Sequence, residues 1–226
     1  MANGSGASRS RRWSYSEIIV TIPSSPSGRP SATYTEARYW RLRDGSGRLI
    51  KINLLALPLA AVFGLGFLWM AQHLGDAPKL AWGVRESVVF VIGIFGVLAL
   101  HECVHGVLMR AFGARPRYGF YARGGMFYAK APGYRFTRRQ YLIVVLGPLV
   151  GLSLLACAGI GLLAGTSMVW YLALWGVVNA SAANADAWIA GLVLQYPADS
   201  GVVDELDGLR VLVPLGGSSG SAQGGG

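Results

Sequence analysis

The chain has 226 residues, of which 53% are hydrophobic and only 14% charged; its mean hydropathy is +0.43. A soluble domain carries about 25% charged residues, so the composition excludes an ordinary soluble protein and a wholly disordered chain, and points to an integral membrane protein. The net charge of +9 does not call for nucleic acid as a partner, because positive charge beside apolar spans sets membrane orientation. The two cysteines, Cys103 and Cys157, sit inside apolar stretches, which excludes a disulfide framework.

Residues 1–37 are rich in Ser, Gly, Pro and Arg and hold one short apolar run, at 18–22. They read as a disordered N-terminal tail. Arg9, Arg11 and Arg12 are not followed by an apolar core, so the tail does not read as a signal peptide. Residues 38–213 read as the membrane domain, with a basic juxtamembrane stretch at 38–51 and apolar spans at about 53–74, 87–109, 141–164 and 168–194. Each is close to the roughly 20 residues that cross a bilayer. The third and fourth are joined by a short turn near 165–167, so they form an antiparallel pair. Between the second and third, aromatic residues recur at near-alternate positions in 115–121 and 126–134, around Arg123, Gly124 and Gly125. That pattern predicts a β-hairpin. A smaller hairpin is expected outside the bilayer, where Val202 and Val203 and then residues 209–213 flank an acidic turn. Residues 214–226 read as a disordered Gly/Ser tail. The fold class expected is an all-α polytopic membrane protein of four transmembrane helices, with a cytoplasmic-side β-hairpin between helices two and three. With four spans, 18 of the 20 basic residues fall on the side of the two tails and the 110–139 loop. That places the chain in the cell membrane with both termini cytoplasmic.

The second span ends in His101-Glu102-Cys103-Val104-His105. At helical spacing His101 and His105 lie one turn apart on one face, which lets two imidazoles hold one Zn²⁺, with Glu102 beside them as a base for water. Ionisable groups inside an apolar span are expensive and are kept for function. A catalytic zinc needs a third protein ligand. The remaining histidine, His73, ends the first span on the other side. Asp186, the acidic residue of the fourth span, matches the depth of the histidines and is the expected ligand. Asn179 lies on nearly the same helical face as Asp186, with Ser181 and Asn184 nearby. Asn179 and Asn184 are candidates for binding a substrate backbone or an oxyanion, against the plainer role of interhelical hydrogen bonding. Ala180, Ala183, Ala187 and Gly191 on the fourth span, and Gly93 and Gly96 on the second, would let those helices approach closely. Gly147 and Pro148 should bend or loosen the third.

The order of these features, the 101–105 motif, the glycine-rich hairpin, Leu146-Gly147-Pro148 and then residues 179–186, resembles the family called Putative zincin peptidase. More distantly it is similar to the site-2 proteases, the intramembrane zinc metalloproteases. The resemblance covers roughly residues 48–213. In site-2 proteases the third ligand usually lies in a segment that includes Leu-Asp-Gly, and this chain has Leu206-Asp207-Gly208. That segment lies beyond the last span, between Glu205 and Arg210, so Asp186 is preferred and Asp207 is its rival.

The reading that follows is an intramembrane zinc endopeptidase: Zn²⁺ on His101, His105 and Asp186, with Glu102 as general base. Its substrate is a membrane protein or peptide, locally unwound, received by the hairpin at about 115–135 with Gly124 and Gly125 at its tip. The alternative is a zinc-binding membrane protein without proteolytic activity, serving as a structural or partner-binding subunit. Glu102 argues against it, since a structural site needs no base. A metal transporter would need a second polar site along the spans, and a haem or proton relay a further intramembrane histidine. The partners expected are that membrane-protein or peptide substrate and the lipid bilayer, with no nucleic acid; oligomeric state is not legible in the sequence.

Overall fold

In the computed structural model, which describes residues 19–21, 33–41, 46–74, 78, 82–121, 126–205 and 208–215, strands and helices alternate along the chain. In order they are β1 (Ile19–Thr21), β2 (Thr33–Arg41), α1 (Ser46–Leu54), α2 (Ala56–His73), α3 (Val84–Ala111), β3 (Arg117–Tyr121), β4 (Met126–Lys130), β5 (Arg135–Thr137), α4 (Arg138–Leu162), α5 (Met168–Ala182), α6 (Asn184–Val193), β6 (Gly201–Glu205) and β7 (Gly208–Pro214).

Both predicted hairpins are present. β3 and β4 pair with Tyr121 opposite Met126, and β6 and β7 pair with Glu205 opposite Gly208. The all-α expectation is overturned, because the second hairpin is the middle of a five-stranded antiparallel sheet of order β1-β2-β7-β6-β5. Residues 33–37, assigned to the unstructured tail from sequence, are the first half of β2. Their ladder partner is β7, with Tyr34 opposite Pro214 and Arg41 opposite Gly208. Backbone groups on a strand are satisfied by a partner strand, and here the partner lies at the far end of the chain.

The four-span expectation is also overturned. Among the described residues three helical stretches are long and apolar enough to cross a membrane: Ile50–His73, Val84–Ala111 and Arg138–Leu162. The stretch expected as the fourth breaks at Ala183 into α5 and α6. The break has local causes. Ser181 Oγ donates back to the Val177 carbonyl at 2.8 Å, a bond that bends helices. Asn184 Oδ1 accepts the N–H of Ala185 at 2.7 Å, which competes with continuation of the helix.

Two buried clusters hold the fold. One lies where the sheet meets α4 and α6 and includes Phe136, Val144, Val193, Val202 and Val211. The other joins α2, α4 and α5 through Phe67, Ala71, Ile160, Val169 and Ala173. Phe67 seats on Gly176, and Trp175 lies against Gly93 with its Nε1 donating to the Phe90 carbonyl at 3.2 Å. Of the small residues expected at helix contacts, Gly93 does admit a neighbour's ring, whereas Gly96 and Gly191 have nothing within 4 Å of where a side chain would begin; Gly176 was not singled out from sequence. Across the molecule α4 leaves from the sheet at Thr137, whose Oγ1 caps Gln140 N–H at 3.2 Å, and α5 and α6 bring the chain back to it at Gly201.

Asp204 of β6 is 5% exposed and accepts the Ala131 N–H at 2.9 Å through Oδ2. Burial lifts its carboxyl above the ordinary 3.8, against the opposing pull of Lys130 and the Ala131 N–H. The folded chain therefore holds this proton at pH values where the unfolded chain has lost it. Stability is greatest below the unfolded value and falls as pH rises towards the raised folded value. We expect Asp204→Asn to flatten that fall while keeping the acceptor for Ala131. Asp204→Ala should cost ~1–3 kcal/mol by leaving a buried N–H unpaired. Thermal unfolding in detergent across that pH range reads both effects.

Candidate metal centre

α3 carries His101 and His105 one turn apart, 3% and 6% exposed, with ring centroids 5.0 Å apart and planes at 74°. The break after α5 places Asp186 in the first turn of α6. Its Oδ2 lies 3.0 Å from His101 Nε2 and 3.4 Å from His105 Nε2. The other nitrogen of each ring is held from behind. His105 Nδ1 lies 2.8 Å from the Val144 carbonyl. A carbonyl can only accept, so this nitrogen carries the proton. His101 Nδ1 lies 2.9 Å from Asn179 Oδ1, and Asn179 Nδ2 donates to the Pro148 carbonyl at 3.2 Å. The Pro148 carbonyl thereby fixes which end of the amide faces His101, and His101 Nδ1 must donate.

The consequence is electrostatic. With both Nδ1 atoms protonated, each neutral imidazole turns a lone pair towards the same carboxylate oxygen. Three acceptors around one point repel unless a cation sits among them, a proton or a metal ion. Two imidazole nitrogens and a carboxylate oxygen are a donor set of catalytic zinc, and backing of each imidazole through its far nitrogen is the usual support of a zinc ligand. The residues present therefore fit a zinc ion. Glu102 belongs to the same cluster, its carboxylate within 4.8 Å of the histidine nitrogens. The N–H of Ala129 on β4 lies close to it.

The sequence explains how the backing arises. Pro148 sits inside α4 without an N–H, so the carbonyl one turn earlier, that of Val144, loses its helical donor. That carbonyl is the one His105 uses. The hairpin is seated beside the motif by Gly106, against which Tyr118 packs so closely that any side chain there would collide with its hydroxyl.

Of the residues singled out from sequence, His101, Glu102, His105 and Asp186 come together, and Asn179 joins them. Asn179, expected to bind substrate, has both ends of its amide engaged within the protein. Asn184 does not turn to the histidines: its Nδ2 reaches Asn53 Oδ1 at 3.4 Å and its Oδ1 accepts the N–H of Ala185 at 2.7 Å. His73 ends α2, bonded to the Trp69 carbonyl at 2.9 Å, apart from the centre. Gly124, Gly125 and Asp207 lie outside the described residues. Sequence reasoning missed Val144, whose signal was a proline at i+4, and Ala129, whose contact depends on where the hairpin docks.

Residues 94–200 match the family model described as Putative zincin peptidase, which bears out over that segment the resemblance drawn from the sequence. No curated protein and no solved structure matches the chain. The family match and the His101–Glu102–His105 cluster together point to a zinc metallopeptidase.

Removing the backing should loosen the site without touching a ligand. Pro148→Ala restores a donor that competes for the Val144 carbonyl, and Asn179→Ala frees the His101 ring. Each is expected to weaken zinc binding about 10- to 100-fold, measured by chelator competition on the purified protein.

Proposed function

We propose that the protein is an intramembrane zinc endopeptidase, similar in its chemistry to the site-2 proteases. The observation that carries this reading is the convergence of His101 Nε2 and His105 Nε2 on Asp186 Oδ2, with Glu102 alongside, in a helix apolar enough to span a bilayer. In this reading His101, His105 and Asp186 hold the zinc, which when bound supplies Lewis acidity to a water and to the scissile carbonyl. Asp186 is preferred over Glu102 as third ligand because its Oδ2 lies within 3.4 Å of both imidazole Nε2 atoms. Glu102 then accepts the proton of the attacking water and returns it to the leaving amine. Asn179 and the Val144 carbonyl keep the two rings in register throughout.

The substrate class is a membrane-embedded or membrane-anchored polypeptide. A helical segment hides its carbonyls in its own hydrogen bonds, so the scissile stretch must be extended. The β3–β4 hairpin supports this, since it lies against α3 beside Glu102 and can take an extended segment as an added strand. Phe120 and Tyr128, both exposed, offer apolar contacts to its side chains. Glu102→Gln is expected to retain zinc and to lower cleavage of a transmembrane reporter peptide by about 10²- to 10⁴-fold. Asp186→Ala should lose zinc as well. A wild-type protein that binds zinc but cleaves no such reporter would favour the non-proteolytic alternative.

We further propose that the sheet lies on the cytoplasmic side of the cell membrane. β2 and β7 come from the two ends of the chain and pair with each other, so those ends share a side, and the basic residues concentrate there. Single cysteines placed at Leu215 and at Thr166, in a background lacking Cys103 and Cys157, are expected to label from opposite faces of sealed vesicles. Leu215 is expected to label from the cytoplasmic face and Thr166 from the other; the swapped pattern would reverse this placement, and labelling of both from one face would overturn the shared side of the two ends.

A further inference from the structure

Away from the metal centre, α3 and α4 enclose an apolar groove with a volume of about 670 Å³. Its walls are Val104 and Leu108 of α3 and Leu142, Leu146 and Val150 of α4, and its floor is open at Gly151, where nothing stands within 4 Å of where a side chain would begin. The groove is apolar along its length and charged at one end only, where Arg138 and Arg139 line it. These two occupy the first turn of α4, which contains no acidic residue. Two guanidinium groups at the positive end of a helix dipole repel it and each other. Arg138 Nη2 donates to the Leu194 carbonyl at 3.2 Å, while its buried Nε has no hydrogen-bond partner. Neither arginine forms an ion pair among the described residues.

We propose that this groove is a binding site for an anionic phospholipid, one acyl chain lying between α3 and α4 and the phosphate set on Arg138 and Arg139. Its polarity is that of a phospholipid: a charged end where α4 meets the sheet, and an apolar trough running along the helices into the membrane. A transmembrane substrate helix has no need of two cations at one end. The groove also lies off the histidine face, since α4 turns Val144, Val145 and Pro148 inward and Leu142, Leu146 and Val150 to the groove. The site would hold α3 and α4 together on the lipid side, behind the metal centre, and does not depend on what that centre cleaves.

The full chain in a neutral detergent, titrated with phosphatidylglycerol and separately with phosphatidylcholine, tests this by native mass spectrometry. One phosphatidylglycerol should be retained preferentially. Arg138→Gln with Arg139→Gln should weaken that retention about thirtyfold, from the loss of two interfacial cations. Gly151→Leu, which fills the trough and leaves both charges, should weaken it as well, and glycerol 3-phosphate alone should not bind. Equal retention of the two lipids, or loss on the arginine changes with none on Gly151→Leu, would overturn the proposal, the latter reducing the pair to general attraction for an anionic surface. Circular dichroism and zinc content of each variant must match the wild type, and if the double change misfolds, Arg139→Gln alone carries the test.

Discussion

Proline at position 148 cannot donate a hydrogen bond, and the Val144 carbonyl that it leaves open takes the Nδ1 proton of His105. Much of the centre depends on that exchange. Inside a bundle of apolar helices no water is at hand to satisfy a stray polar group, so each must be matched within the protein. The carbonyl of Pro148 holds Asn179, Asn179 holds His101, and the two imidazoles, once oriented, present both free nitrogens to Asp186. A defect in one helix has become the support of a candidate metal site on another.

The interruption of the fourth apolar stretch belongs to the same logic. A continuous helix would carry Asp186 on wherever its phase led. The break at Ala183 instead starts a new helix, and Asp186 falls in its first turn, where the N-terminal end of the helix favours a carboxylate. Ser181 and Asn184, which weaken helix continuity through their own hydrogen bonds, thus act on the site at a distance. Neither approaches the histidines.

The five-stranded sheet fixes the ends of these helices. It gathers segments from residue 19 to residue 214 on one side of the bundle and anchors the start of α4 through Thr137 opposite Gly201. It also buries Asp204 beneath the chain that links β4 to β5. The smaller β3–β4 sheet is held differently, by a tyrosine on a glycine of α3, and so reaches the motif directly.

From the sequence alone one could read three of the apolar helices, both hairpins and the His-Glu-x-x-His cluster, while the fourth span read beside them is broken in the structure. Each of these readings rests on local pattern: hydropathy over a window, alternation over a few residues, or histidines at helical spacing. The sequence did not disclose β2, because a strand is stabilised by its partner and Thr33–Arg41 finds its own in Gly208–Pro214 at the other end of the chain. It also hid the break at Ala183, where apolar residues continue on both sides and side-chain bonds to the backbone decide the outcome. Asn179 could be read as polar and inward-facing. That its amide pairs with Pro148 and His101 was decided only when α3, α4 and α5 packed and put three hydrogen-bonding groups within reach of one another.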